Sequence, residues 1–93
     1  MTTHSPDAVA DMFKVLAHPL RVALVLALRD GPQSVSTLQD MLQVTQSAVS
    51  AQLLRMRNDG VVTCLRSDAD ARIMVYALAD RRVLSLVDLA RLT

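Results

Sequence analysis

The chain has 93 residues, 52% of them hydrophobic, and a net charge of +1 at pH 7. Such a length predicts one domain, residues 1–93, and the high hydrophobic fraction indicates that a partner covers some apolar surface. With Phe13 and Tyr76 as the only aromatic residues, base stacking on aromatic platforms is not expected, and the lone Cys64 excludes an intrachain disulfide. No apolar run could span a bilayer and nothing resembles a signal peptide, so we expect a cytoplasmic protein without a membrane partner.

Two helices are predicted in the first third of the chain. Met1 to Ser5 should form a disordered tail, after which Pro6 and Asp7 suit the first turn of a helix. The apolar stripe of that helix comprises Val9, Met12, Phe13 and Leu16. A second helix, Pro19 to Asp30, is apolar on nearly every face, which predicts a place at the centre of the domain, and it ends at Gly31-Pro32.

A short helix and a longer one follow, separated by a tight turn. The short helix should run from about Ser36 to Leu42, capped by Ser34 or Ser36. Gln43-Val44 then leads into the longer helix, Thr45 to Gly60, which begins with capping residues and ends at a glycine suited to the C′ position. Two helices joined by so short a turn match the helix-turn-helix pattern.

The longer helix has a buried side and an exposed side. Val49, Leu53 and Met56 recur at helical period and predict the buried stripe. The opposite side carries Ser47, Ala51 and Asn58, with Ser50 and Arg55 on its flanks. A small, hydrogen-bonding first turn, with Arg55 and Arg57 at the far end, suits a helix whose N-terminal turn enters a DNA major groove. An ordinary amphipathic surface helix has a similar polar side. The segments on either side of this helix are therefore needed to distinguish a DNA-binding helix from an ordinary surface helix.

A β-hairpin is predicted directly after this helix. Val61 to Arg66 and Arg72 to Ala77 are β-rich, and the polar loop Ser67 to Ala71 separates them. A helix-turn-helix followed by a hairpin is a winged helix, so we expect a mainly α fold with a β-hairpin wing, in the order α-α-α-α-β-β-α. Asp80 should cap a last helix that runs to Leu92.

The last helix is apolar almost all round. Its apolar positions are Val83, Leu84, Leu86, Val87, Leu89, Ala90 and Leu92. Because a terminal helix cannot bury every face within so small a domain, we expect a homodimer formed through the first and last helices. The predicted interface comprises Val9, Met12, Phe13, Leu84, Leu86, Val87 and Ala90.

Three segments carry a resemblance to the ArsR/SmtB family of small dimeric bacterial repressors. They are LAHPLRVALVLAL (Leu16 to Leu28), VTQSAVSAQLLRMRNDGVV (Val44 to Val62) and Arg72 to Leu78. In that order they look like the family's first helix junction, its recognition helix with the flanking turn and strand, and its second wing strand. The resemblance implies a winged-helix homodimer on a palindromic double-stranded operator, usually repressing until an inducer releases it. Two recognition helices would then enter successive major grooves about 34–36 Å apart.

The resemblance also implies which residues contact DNA. Groove or backbone contacts are carried over to Thr45, Gln46, Ser47, Ser50 and Gln52. Arg57 matches a phosphate contact and Arg72 matches the family's wing arginine, while Arg55 is added because of its own charge. Leu54 departs from the pattern, since relatives often carry a basic residue there.

Neither metal site familiar from the family can be built. Ser34 and Ser36 replace the thiolates of one site and are poor ligands for soft metals. In the other site Asp80 matches, but Arg82 and Thr93 fall where histidines are needed. His4 and His18 are the only histidines of the chain, so we expect no metal and no cofactor, and the inducer stays unknown.

Other readings of single residues and of the whole chain remain. Cys64 fits a half-buried core residue better than a redox switch, and His18 fits a hydrogen-bonded junction residue. No nucleophile–base pair, Gly-rich phosphate loop or acidic dyad appears, so we expect no enzyme. The alternative to a repressor is a winged-helix protein-interaction module without specific DNA binding, which Leu54 and the low net charge favour.

Overall fold

The computed structural model describes residues 5–92, so most of the predicted tail, His4 and Thr93 lie outside the described residues. The elements are α1 (Pro6–Val15), α2 (Pro19–Ala27), β1 (Gln33–Ser34), α3 (Val35–Leu42), α4 (Gln46–Asn58), β2 (Val62–Arg66), β3 (Met74–Leu78) and α5 (Arg82–Ala90). The mainly helical fold with a hairpin wing is confirmed. The predicted second and last helices are too long, because α2 ends at Ala27 and α5 at Ala90.

A third strand corrects the predicted element order. The sheet is antiparallel with the order β1-β3-β2, and Gln33 and Ser34 pair with Tyr76 and Val75 of β3. The order is therefore α-α-β-α-α-β-β-α. Two residues are too few to show the alternation that reveals a strand in a sequence. The pairing fixes the start of α3 against the wing, since Ser34 is both the end of β1 and the N-cap of α3.

Most helix ends use the residues that the sequence indicates. Ser34, rather than Ser36, caps α3 by accepting a hydrogen bond from the Thr37 amide at 3.1 Å. Gly60 has a φ of 78°, as expected of a C′ glycine. Asp80 stands one residue before the N-cap position of α5, which Arg81 occupies, and its Oδ1 accepts from the Arg82 amide at 3.0 Å.

The core lies where α2 meets α3, α4 and α5. It includes Leu24, Val25 and Leu28 from α2 and the turn after it, packed with the buried stripe of α4 and with Val83 of α5. Leu84 and Val87 also belong to this core, so they are not available to a second copy. Their assignment to the dimer interface is therefore corrected. The ion pair between Arg29 and Asp88 joins the end of α2 to α5 at the surface.

Candidate nucleic-acid interface

The turn between α3 and α4 sets the direction in which α4 leaves the core. Gln43 ends α3 in the left-handed conformation, with a φ of 56°. Its amide donates to the Gln39 carbonyl at 2.8 Å, and its Nε2 donates to the Asp40 carbonyl at 2.8 Å. The Thr45 hydroxyl then caps α4 by accepting from the Ala48 amide at 3.2 Å. The first turn of α4 is thereby fixed at the surface.

The two sides of α4 differ as the sequence predicts. Val49, Leu53 and Met56 are 0% exposed and hold the helix against the core. Gln46, Ser47 and Ser50 are exposed on its first turns, and Thr45 is exposed beside them. The free amides of a helix N-terminus favour anionic groups, and short polar side chains allow a close approach. This end of α4 can therefore accept a phosphate backbone and present hydrogen-bonding groups to base edges.

Gln52 behaves differently from the other predicted contacts. It is half-buried, and its Oε1 accepts a hydrogen bond from Arg21 Nε at 3.0 Å. Arg21 in turn donates from Nη1 to the Val15 carbonyl at 3.2 Å. Gln52 thus ties α4 to the junction of α1 and α2 instead of standing free on the outer side. Arg21 is the one charged residue of α2, which is the signal that could have indicated such a partner.

The arginines at the far end of α4 are exposed. Arg55 Nε lies 3.7 Å from Asp59 Oδ2, an exposed pair four residues apart on the helix. Within residues 5–92, Arg57 has no carboxylate partner in a salt bridge. Leu54, one position before Arg55, has 60% of its surface exposed. The basic character of this end therefore comes mainly from Arg57, with Arg55 partly neutralised.

The wing presents Arg72 to solvent but does not leave it free. The side chain is 90% exposed, yet its Nη2 lies 2.9 Å from Asp70 Oδ2 and its Nε donates to Asp70 Oδ1 at 3.1 Å. This hydrogen bonding lowers the pKa of Asp70 and raises the pKa of Arg72. The resemblance points to Arg72 alone, although Asp70 stands only two positions before it in the sequence.

Cys64 lies in the sheet and not on the candidate interface. It is half-buried on β2, directly opposite Tyr76 of β3. Burial first, and then its interaction with the neighbouring Cys64, raises the pKa of Tyr76. A redox role for Cys64 stays a prediction. At the other junction, His18 Nδ1 accepts from the Leu20 amide at 3.2 Å and caps α2, which confirms the hydrogen-bonded role expected of His18.

A second exposed surface is formed by α1 and α5. Phe13 is 54% exposed and Leu89 67% exposed, and Val9 and Leu86 complete an apolar groove of about 370 Å³ between the two helices. Arg82 and Ser85 are the polar residues at its edge. We call this surface the α1–α5 face. It contains four of the seven predicted dimer residues, namely Val9, Met12, Phe13 and Leu86.

Metal and membrane sites are not indicated by the described part of the chain. Among residues 5–92, no three His, Cys or acidic side chains come together where they could hold a metal ion. The Asp80 carboxylate is engaged by Arg82, whose Nη2 lies 2.7 Å from Asp80 Oδ2. Over the same residues, no helix is both long enough and apolar enough to cross a membrane.

The helix-turn-helix, its exposed first turn and the hairpin beside it define a winged helix-turn-helix protein. The family model described as bacterial regulatory protein, arsR family, matches residues 18–63. The transcriptional repressor SmtB of Mycobacterium tuberculosis is 40% identical over 81 residues, which are 87% of this chain and 58% of SmtB. The crystal structure of the repressor BigR from Xylella fastidiosa superposes with a TM-score of 0.80 at 31% identity, covering 89% of this chain and 82% of that one.

The chain belongs to the ArsR family of bacterial regulatory proteins. A further structural relative is a homodimeric winged helix-turn-helix DNA-binding domain from Mycobacterium bovis, with a TM-score of 0.74 and 25% identity over 91% of this chain and 76% of that one. The names of these relatives describe transcriptional repressors or regulators. The chain spans 58–64% of the length of the first curated relatives that it matches.

Proposed function

We propose that this protein is a DNA-binding transcriptional repressor that acts as a homodimer on a palindromic operator. The observation that carries the proposal is the two-sided character of α4. Three fully buried apolar side chains hold the helix against the core. Its first turns expose Gln46, Ser47 and Ser50 close to the N-terminus, which Thr45 caps. A helix fixed in this way can enter a major groove without rearranging.

The exposed residues take different roles in this proposal. Gln46 is the strongest reader of bases, because a glutamine amide can pair with both edge atoms of adenine. Ser47 and Ser50 fit base edges or phosphates at close approach, and Thr45 fits a phosphate beside the helix N-terminus. Arg57, Arg55 and Arg72 supply the cations for the backbone. Gln52 positions α4 through Arg21 and is not assigned a base.

The proposed dimer uses the α1–α5 face. A groove with exposed Phe13 and Leu89 is too apolar to stay in water without cost, and a second copy offers the same surface by two-fold symmetry. The homodimeric Mycobacterium bovis relative supports this arrangement. Two α4 helices about 34–36 Å apart then reach successive major grooves. Residues 1–93 would act as one domain in the cytoplasm, where bacterial DNA lies, and no inducer is assigned.

Fluorescence anisotropy against the DNA upstream of the protein's own gene tests the proposal. A scrambled duplex of equal length is the control, and both are titrated over a salt series. Selective binding to the upstream duplex should weaken linearly on a log–log salt plot, with a slope between about −2 and −5. A slope of about −2 corresponds to one phosphate contact by Arg57 in each of two subunits, and a slope of about −5 to contacts by Arg55, Arg57 and Arg72 in each subunit.

Equal and weak binding to both duplexes would contradict the proposal. It would favour the protein-interaction module, for which the exposed Leu54 and the carboxylate partners of Arg55 and Arg72 are the structural support. Such a module would show a shallow salt dependence, because few counterions are released.

A further inference from the structure

The wing loop neutralises its own arginine. Asp70 uses both carboxylate oxygens on Arg72, Oδ1 towards Nε at 3.1 Å and Oδ2 towards Nη2 at 2.9 Å. The other wing arginine, Arg66, donates from Nη1 to the Ala71 carbonyl at 2.7 Å. The segment from Arg66 to Arg72 contains two arginines and two aspartates, so its formal charge is zero. A wing that contacts DNA would ordinarily carry an excess of positive charge.

Asp70 occupies one of the two edges of the Arg72 guanidinium that a phosphate could use. The Nε and Nη2 groups form a planar fork that binds two oxygens of a carboxylate or a phosphate in parallel. A carboxylate held on this fork therefore blocks bidentate contact with the DNA backbone through Nε and Nη2. The end-on pair of N–H groups on Nη1 and Nη2 stays open, but the adjacent carboxylate charge offsets the attraction of the guanidinium for a phosphate.

The loop holds Asp70 in place independently of the Arg72 side chain. The Arg72 amide donates to Asp70 Oδ1 at 3.0 Å, and the Ile73 amide donates to the Asp70 carbonyl at 3.0 Å. The Asp70 amide also lies 3.4 Å from the Ser67 hydroxyl oxygen, to which it donates. When the guanidinium swings away, the carboxylate keeps its backbone hydrogen bond. Exchange of the Arg72 side chain between Asp70 and another anion thus leaves the turn intact.

We infer that Asp70 is an intramolecular competitor of the DNA backbone for Arg72. This inference rests on the proposed function, because it takes DNA as the anion that Arg72 binds. The wing engages DNA by exchanging a carboxylate for a phosphate, which lowers the affinity for every sequence. Phosphate contacts carry no direct sequence information. Asp70 therefore weakens non-specific and operator binding by the same factor and leaves the preference of α4 unchanged.

The variant Asp70→Asn tests this exchange by anisotropy on the upstream and scrambled duplexes. Asparagine keeps the shape and an Oδ1 that accepts from the Arg72 amide, but it loses the charge that holds the guanidinium. Affinity for both duplexes should rise by roughly two- to fivefold per wing at low salt, the range expected for release of an exposed ion pair. The factor is squared in a dimer, and the gain should shrink as salt rises.

Asp68→Asn is the matched control, because it makes the same charge change in the same loop at an exposed residue that forms no salt bridge within residues 5–92. General electrostatic repulsion would raise affinity equally in both variants. An effect through Arg72 requires a larger gain in Asp70→Asn, and that excess should vanish when Arg72→Ala is added. Arg72→Ala should also cost less affinity in the wild type than in Asp70→Asn.

The outcomes separate this inference from the proposed function. A wild-type protein without selective, salt-sensitive binding would overturn both. Selective binding with equal gains in Asp70→Asn and Asp68→Asn would overturn the inference and leave the function standing. Weaker binding by Asp70→Asn, with an unchanged thermal unfolding midpoint, would show that the carboxylate orients Arg72 for DNA and would also overturn it.

Discussion

The outward side of α4 and the α1–α5 face are both helical surfaces turned away from the core, and they differ in almost every respect. The first turn of α4 exposes Gln46, Ser47 and Ser50, all of them small or polar. The α1–α5 face exposes Phe13 and Leu89 around an apolar groove. The first surface offers hydrogen-bond partners to a polar ligand, and the second gains free energy only by leaving water.

The difference lies in how far the apolar residues extend around each helix. In α4 the buried apolar residues form one stripe, and outside it the helix exposes one large apolar residue, Leu54, so most of the remaining side is free for polar groups. In α5 they continue round the helix, with Val83 buried and Leu89 exposed. A group of exposed apolar residues beyond the buried stripe, as on α1 and α5, thus marks a surface that a partner covers, whereas polar residues in the equivalent place mark a surface that a polar ligand contacts.

Leu89→Asp should produce the largest effect. It introduces a charge into the α1–α5 face of each subunit, and an uncompensated buried charge costs on the order of 3–5 kcal/mol. Because the interface is two-fold, each dimer carries the penalty twice. Analytical ultracentrifugation should show monomers. Leu54→Asp is the control, since Leu54 is similarly exposed but lies on α4, and it should remain dimeric. A dimeric Leu89→Asp protein would move the interface elsewhere.

Leu53→Ala and Leu54→Ala compare the two sides of α4 directly. Leu53 is 0% exposed and Leu54 60% exposed. Truncating a fully buried leucine typically costs about 2–5 kcal/mol, whereas an exposed one costs within about 0.5 kcal/mol. Urea unfolding should therefore separate these neighbouring variants by several kcal/mol. Similar unfolding free energies would mean that α4 is not anchored through its apolar stripe.

Gln46→Ala combined with Ser50→Ala should reduce sequence discrimination. Loss of a good base contact typically removes about 1–3 kcal/mol of preference. The ratio of affinities for the upstream and scrambled duplexes should fall accordingly, while the salt slope stays unchanged because no cation is lost. Asn58→Ala, at the opposite end of α4, is the control and should keep the ratio. An unaltered ratio in the double variant would reject these two residues as readers.

Substitution of Asp80 at the start of α5 should have the smallest effect, and this effect on stability should depend on pH. The hydrogen bond from Arg82 holds the pKa of Asp80 below its usual range. A depressed folded pKa stabilises the fold above the unfolded value of about 3.9 and stops doing so as pH falls through the folded pKa. Asp80→Asn should therefore lower the unfolding midpoint at about pH 7, by the equivalent of less than about 1 kcal/mol for so exposed a pair.

The difference between wild type and Asp80→Asn should disappear at a pH below the folded pKa of Asp80. Thermal unfolding followed by circular dichroism over an acid series measures it, with Asp68→Asn as the control for overall charge. A difference that persists in acid would mean that the carboxylate charge is not what matters at the start of α5.

The fold could be predicted from the sequence wherever the signal is local. The stripe of α4, the glycine that ends it and the serine cap of α3 all lie within a few positions of the features that they determine. The two-residue β1 is too short to show alternation, so it was missed. In α5, an unbroken run of apolar residues cannot tell which side faces the core. Leu84 and Val87 were therefore placed in the interface, although the protomer buries them.

Hydrogen bonds between residues far apart in the sequence limit the prediction of the candidate site. The resemblance implies that Gln52 contacts DNA, and nothing near Gln52 in the sequence points to its partner Arg21, which lies 31 positions away. Asp70 and Arg72, by contrast, are only two positions apart, so the sequence shows that the two side chains can pair. The resemblance implies a role for the arginine alone and carries no information about a neighbouring carboxylate. A carboxylate two positions from a predicted phosphate-binding arginine can therefore change the charge that the arginine presents.

The most direct test of the central claim is selection of binding sites from a pool of random duplex DNA, followed by sequencing of the bound fraction. If two α4 helices read DNA from one homodimer, the enriched sequences should be inverted repeats with half-site centres about 10–10.5 base pairs apart. The Gln46→Ala, Ser50→Ala protein should enrich the same spacing with degenerate half-sites. A bound fraction without enriched sequence, or single half-sites without a second copy, would contradict the account.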